Sequence, residues 1–248
     1  MGSDSTVCVV LVYPQLLGTY GDRGNAAALA FRAAARDIEV RLVEVAPGEP
    51  VPTEADIYLI GGGEDSSLLL AWQELVTEQG LLRALDRGAT CLAVCAGFQL
   101  LAEQFIGPDG APRAGLGALD VSCSRLPGER AVGEVVAVSS SLRGLGMLTG
   151  FENHQGDAQL GDQATPLGSL IRGRGNGDGH TEGAVQGGVI ATYLHGPVLV
   201  RNPALADHML EQTVGPVAPY TDEAVERLRQ ERLSEPAGGR GIRGWLGG

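Results

Sequence analysis

Thr90–Leu101, TCLAVCAGFQLL, joins a short apolar run to a helix-periodic one with no loop between them. Cys91–Cys95 follows a turn at Arg87-Gly88, and a brief apolar run bounded in this way reads as a fully buried parallel strand. Ala96 and Gly97 come next, and an apolar period through Phe98, Leu100, Leu101 and Phe105 reads as a helix. A strand that turns straight into a helix makes a sharp corner. The small neighbours Ala93, Ala96 and Gly97 would let a side chain stand exposed there, which is the logic of a nucleophile elbow with Cys95 as its nucleophile. A thiol ionises near pH 8.5 when free, and the unpaired N–H groups of a helix start are expected to lower that value. The ordinary alternative is a core thiol. Cys8, Cys91 and Cys123 lack the corner and read as core. No second Cys or His pair with zinc spacing follows Cys91 and Cys95.

Working outward, Val7–Tyr13 is a continuous apolar run and a first buried strand, followed by a Gly-rich loop over Pro14–Asn25. A helix is predicted over Ala26–Arg36, strands over Glu39–Val45 and Ala55–Ile60, and helices over Leu68–Gln79 and Leu81–Arg87. This alternation predicts an α/β fold: a mostly parallel central sheet with helices on both faces. Gly133–Ser139 and Gly188–Tyr193 read as strands of a more antiparallel extension, and Thr165–Gly188 as a long ordered loop or hairpin. Pro203–Gln212 and Thr221–Leu233 read as the last helices. One domain is expected over residues 1–234, with a mobile Gly-rich tail over 235–248 in which Trp245 offers a docking point.

Composition excludes several functions. The net charge of −12 leaves no basic face for nucleic acid. All 18 basic residues are arginine, a compositional bias, not a phosphate-binding device. Aromatics, at 4%, are too sparse for a stacking surface. No basic segment precedes the first apolar run, and no apolar stretch approaches the ~20 residues that span a bilayer, so no membrane insertion is expected. Four irregularly spaced cysteines make no disulfide framework, which fits a reduced, cytoplasmic protein. There is no phosphate-binding G-x-x-x-x-G-K-[ST] loop and no H-E-x-x-H helix, so no ATP, metal or other cofactor is expected.

Residues suited to acyl transfer end three presumed strands, where ligands gather in open α/β sheets. Gly61-Gly62-Gly63 follows the third strand. The N–H groups of Gly62 and Gly63, with that of Ala96, would form an oxyanion hole worth roughly 3–4 kcal/mol per donor; a plain strand-to-helix turn is the alternative. His195, in Thr192-Tyr-Leu-His-Gly-Pro197, would serve as base and then acid. His154, in Phe151-Glu-Asn-His-Gln-Gly156, is an equal rival on composition, and His180 and His208 have weaker claims.

Cys95-x-Gly97-x-Gln99, the triple glycine and Tyr193-Leu-His-Gly196 together resemble the class I (triad-type) glutamine amidotransferases, in the branch that includes cobyric acid synthase. Tyr20-Gly-Asp-Arg-Gly-Asn25, Gly150-Phe-Glu-Asn-His-Gln-Gly156 and Gly175-Asn-Gly with Thr181-Glu-Gly resemble, within that branch, the GatD-type glutaminase subunits of lipid II isoglutaminyl synthases. The resemblance runs from about Val7 to Leu210. It implies that Cys95 attacks the side-chain amide of L-glutamine with His195 as base, passing through a γ-glutamyl thioester. It also implies that Gln99 lines the site and that Arg130 holds the substrate α-carboxylate, although a surface arginine is the plain alternative.

One departure stands out: where many class I enzymes carry a Glu two residues after the catalytic His, this chain has Pro197. The imidazole would then be oriented by Asp22, Glu152 or Glu182, or by an acid from a partner. The resemblance implies such a partner, a Mur-ligase-like ATP-dependent synthetase forming a heterodimer with this chain. It would use the ammonia to convert the D-glutamate of the lipid II stem peptide to D-isoglutamine. An amidotransferase subunit of the cobyric acid branch and a non-amidotransferase elbow-cysteine protein are the other readings.

Overall fold

Strands in which every residue is buried form the middle of the molecule. The structure, a computed structural model, describes residues 6–19 and 21–234. The tail expected at 235–248, with Trp245, lies outside them. In chain order the first half comprises β1 (Thr6–Val12), α1 (Arg23–Ala34), β2 (Glu39–Val45), β3 (Ile57–Ile60), α2 (Asp65–Glu78), α3 (Gly80–Asp86), β4 (Thr90–Val94) and α4 (Ala96–Leu101). Then follow β5 (Gln104–Ile106), β6 (Pro112–Ala114), β7 (Val121–Arg125), β8 (Ala131–Ser139), β9 (Met147–His154), β10 (Gly156–Leu160) and β11 (Gly168–Arg172). The last elements are β12 (Thr181–Glu182), β13 (Ala184–Gln186), β14 (Val189–Thr192), α5 (Val198–Arg201), α6 (Pro203–Val214) and α7 (Glu223–Ser234).

The central sheet has the order β13-β14-β4-β3-β1-β2. All its pairings are parallel except that of β13 with β14. β3, β4 and β14 are buried at every position, as strands covered on both faces must be, which is why their sequences lack alternation. β2, at the edge, is half exposed and carries Glu39, Arg41 and Glu44, charges that discourage pairing with another chain. α2 turns Leu68, Ala71 and Leu75 inward, and α6 turns Leu205, Ala206, Met209 and Leu210 inward, both at helical spacing.

Two smaller sheets form the extension, ordered β10-β7-β5-β6 and β12-β11-β8-β9; the second is antiparallel throughout. The sequence reading placed Gly188–Tyr193 in this half. Instead β14 joins the central sheet, parallel to β4, with Thr192 opposite Val94. A four-residue apolar strand does not say which partner it will find, and this pairing decides where His195 goes. The Gly-rich stretch 165–188 is ordered as β11, β12 and β13. Asn176 closes its loop by accepting the Gly183 N–H and donating to the Gly183 carbonyl, both at 2.9 Å.

Candidate active site

Cys95 sits between β4 and α4 with φ 52° and ψ −99°, one of few non-glycine residues with positive φ among those described. This is the strained corner of a nucleophile elbow, and such a conformation costs of order 1–3 kcal/mol. The surroundings enforce it. The Cys95 N–H donates to the Thr192 carbonyl of β14 (2.9 Å), while the Cys95 carbonyl already accepts the Gln99 N–H of α4 (3.1 Å). Gly97 lets α4 press on the end of β3: a Cβ there would lie 2.7 Å from the Ile60 carbonyl oxygen. A side chain larger than hydrogen would push the corner away from the sheet.

The Cys95 side chain lines a narrow cleft together with Gly63, Ala96, Gln99, Arg130 and His154. Five of the seven site residues expected from sequence therefore meet in one cavity. Asp65, at the start of α2, and Arg125, at the end of β7, also line it, and their charged atoms are 4.0 Å apart. The sequence reading missed both. Asp65 lies two residues past the triple glycine, a usable signal; Arg125 belongs to no motif.

Electrostatics differ from the sequence expectation. Burial pushes the Cys95 thiol up to about 12, with the Asp22 charge adding to the rise. Arg130 and the Ala96 N–H pull the other way and lose. The helix start does not deliver a standing thiolate, because desolvation of the anion outweighs it. Burial likewise lowers His195 to about 4, helped by the charges of His154 and Arg130. At neutral pH Cys95 therefore rests as a thiol and His195 as a neutral imidazole, not as a thiolate and an imidazolium.

His195 lies three residues beyond Thr192 and is buried. Its backbone is locked to β9, its N–H donating to the Phe151 carbonyl (2.8 Å) and its carbonyl accepting the Phe151 N–H (3.0 Å). It is not among the residues lining the cleft, whereas His154 is. The His154 ring, however, is stacked on Tyr193 (3.8 Å between centroids, 7° between planes). Its Nδ1 donates to the Gly156 carbonyl (2.9 Å), and its Nε2 lies 3.5 Å from Glu152 Oε2. These contacts hold His154 as part of the wall.

The triple glycine requires a correction. The Gly62 N–H, expected as an oxyanion donor, instead donates to Asp22 Oδ2 (2.7 Å). Gly61 and Gly63 are glycine because of the loop before α1, not because of a ligand. A Cβ on Gly61 would lie 2.0 Å from the Leu17 carbonyl oxygen, and one on Gly63 2.6 Å from that of Leu16. Gly63 and Ala96 do line the cleft.

The three acids considered for orienting His195 each carry a backbone bond. Asp22 holds Gly62. Glu152 accepts the N–H groups of Arg174 (2.9 Å) and Gly175 (3.0 Å). Glu182 accepts the Thr192 hydroxyl and the Tyr193 N–H, and burial raises it to about 7. Arg130 reaches the cleft from an exposed position, its Nε donating to Asn153 Oδ1 (2.6 Å) and its guanidinium also to the Asn153 carbonyl (3.0 Å). Among the described residues no group of three or more His, Cys, Asp or Glu side chains is arranged to hold a metal ion. No helix among them is long and apolar enough to cross a membrane.

Comparison with known proteins identifies the family. Residues 8–203 match the CobB/CobQ-like glutamine amidotransferase domain. The chain is 38% identical over 199 residues to the lipid II isoglutaminyl synthase (glutamine-hydrolyzing) subunit GatD of Staphylococcus aureus (strain N315), covering 79% of each protein. It is 33% identical over 168 residues to the cobyric acid synthase of Rhodobacter capsulatus, covering 63% of this chain but only 32% of that longer one. A glutamine amidotransferase structure from Thermotoga maritima superposes with a TM-score of 0.54 at 16% identity, covering 91% of this chain and 93% of that one, which speaks to the fold alone. With its elbow cysteine and its glycine-rich strand end in place, the chain belongs to the CobB/CobQ-like glutamine amidotransferase family.

Proposed function

We propose that this chain is a glutaminase subunit that hydrolyses L-glutamine through a Cys95 thioester and passes the ammonia to a partner synthetase. The observation that carries the proposal is the strained corner at Cys95 opening on a cleft that also holds the Ala96 and Gly63 backbone, Gln99 and Arg130. Neutral His195 takes the thiol proton as sulfur bonds to the glutamine side-chain carbonyl carbon. The Gly63 and Ala96 N–H groups receive the oxygen as it becomes negative. The imidazolium then gives its proton to the amide nitrogen, the C–N bond breaks, and ammonia leaves a γ-glutamyl thioester. Water, deprotonated by the same imidazole, releases glutamate and restores the thiol. Arg130 pairs with the α-carboxylate of the substrate, and Asp65 on the same rim suits its α-ammonium group.

The relative in Staphylococcus aureus is called a subunit of lipid II isoglutaminyl synthase, which supports a matching role here. In that role the partner is a Mur-ligase-like ATP-dependent subunit, and the product is D-isoglutamine in the lipid II stem peptide. The chain would thus serve peptidoglycan synthesis in the cytoplasm as half of a heterodimer. The test is glutamate release from glutamine by the chain purified from its native cell with whatever co-elutes. Release should vanish in Cys95→Ser, and a γ-glutamyl adduct should be trapped on the Cys95 peptide in the wild type. Undiminished release by Cys95→Ser would sink the proposal.

A further inference from the structure

We propose that Asp22 is a positioning residue for this reaction, holding the Gly62 amide so that the next one, Gly63 N–H, stays aimed as an oxyanion donor beside Cys95. The inference rests on the glutaminase reading above and adds a residue to it.

Asp22 stands at the N-cap of α1, where an Asp ordinarily bonds the free N–H groups of its own helix. It makes no such bond. Its side chain is turned to the end of β3 instead, and Oδ2 accepts the Gly62 N–H at 2.7 Å with the residue only 2% exposed. The other side of Gly62 is held by the same loop, its carbonyl accepting the Thr19 N–H at 3.3 Å.

Both peptide planes flanking Gly62 are therefore anchored, at a residue type that would otherwise roam φ and ψ freely. A trans peptide is planar, so its C=O and N–H point in opposite directions. With the Gly62 carbonyl facing Thr19, the Gly63 N–H on the same plane must face away from the loop, and Gly63 lines the Cys95 cleft. Burial raises the Asp22 carboxyl to about 6 against the lowering by the Gly62 bond, so at neutral pH it is ionised and the bond is charge-assisted.

The same few residues also touch the other half of the site. Asp22 Oδ1 accepts Asn25 Nδ2 at 3.4 Å, and Asn25 Oδ1 accepts the Leu199 N–H at the start of α5 at 3.0 Å. Gly24 admits Pro197, which follows His195-Gly196: a Cβ on Gly24 would lie 2.3 Å from Pro197 Cγ. The stretch Asp22–Asn25 thus joins the oxyanion loop to the segment carrying the imidazole.

The test compares Asp22→Ala and Asp22→Asn in the full chain, alone and with its co-purified partner. Glutamine turnover needs the oxyanion donor, whereas alkylation of Cys95 by iodoacetamide builds no oxyanion. Asp22→Ala should lower kcat about 100-fold, the cost of one misaimed donor, with KM little changed. Alkylation should not slow, because loss of the nearby negative charge favours the thiolate. Asp22→Asn keeps a carbonyl oxygen for Gly62 and should recover kcat to within about tenfold of wild type, on the scale of one restored hydrogen bond.

Hydrogen exchange at Gly62 reads the anchor without turnover: protection should be lost in the Ala variant and kept in the Asn variant. Alkylation falling in step with kcat, equal losses in the two variants, or unchanged Gly62 protection in Asp22→Ala would each overturn the proposal. A wild-type chain that releases no glutamate would overturn the glutaminase reading instead, and Gly62 exchange would still judge the anchor.

Discussion

Replacing Cys95 by glycine should leave the protein about as stable as replacing it by alanine, or more so, against the usual order. At an unstrained site, Ala exceeds Gly by the backbone entropy of the unfolded chain, roughly 0.5–1 kcal/mol. A buried methyl adds about 0.8 kcal/mol in favour of Ala. Alanine should therefore win by about 1.5 kcal/mol. At φ 52° and ψ −99°, however, any residue with a Cβ carries a strain of about 1–3 kcal/mol that glycine escapes. The sum runs from about 0.5 kcal/mol in favour of alanine to about 1.5 kcal/mol in favour of glycine. Urea unfolding of the two variants measures it directly, with midpoints compared at a common slope. In a thermal scan each kcal/mol amounts to about 2–4 °C for a domain of this size. Both variants should lose glutaminase activity, so stability is the only quantity compared. An alanine variant more stable by about 1.5 kcal/mol, as at an ordinary position, would refute the strained corner and with it the elbow.

His195→Ala should lower glutamine turnover by at least about 100-fold, as loss of a general base does, whereas His154→Ala should keep substantial turnover; steady-state kinetics reads both, and equal losses would reverse the choice of base. Glu182 ionises near 7 instead of 4.5, so its proton is bound more tightly in the folded chain. Its stabilising effect is complete below about pH 4.5 and is lost as pH rises through 7, about 3 kcal/mol in order of magnitude. Glu182→Gln should remove that fall, seen as a flatter stability profile between pH 5 and 8 than in the wild type, and an unchanged profile would refute it. Gly61→Ala would drive a methyl to 2.0 Å from the Leu17 carbonyl and should cost about 1–3 kcal/mol, measured by denaturant unfolding. Adding the ligase-like partner should raise glutaminase activity, and its absence of effect in a coupled glutamate assay would favour an independent enzyme.

The sequence by itself determined the corner at Cys95, because a strand running into a helix with only small residues between them is a local pattern. It also determined the alternating α/β order, since β3 throughout, β1 after Thr6 and β4 after Thr90 are unbroken apolar runs and helical periods separate them. Most element ends fell within two or three residues of the observed ones; α1 begins at Arg23, before the Ala run that marked it. Tertiary structure decided what depends on partners distant in the chain. Pairing with β4 placed β14 in the central sheet and brought His195 to its carboxyl end. The close approach of Leu16 and Leu17 gave Gly61 and Gly63 their reason, and Asp22 took the Gly62 N–H. Burial, the sum of many remote contacts, decided that Cys95 rests as a thiol and His195 as a neutral base. A motif places a group on the chain; the solvent it loses on folding sets the protonation state in which it works.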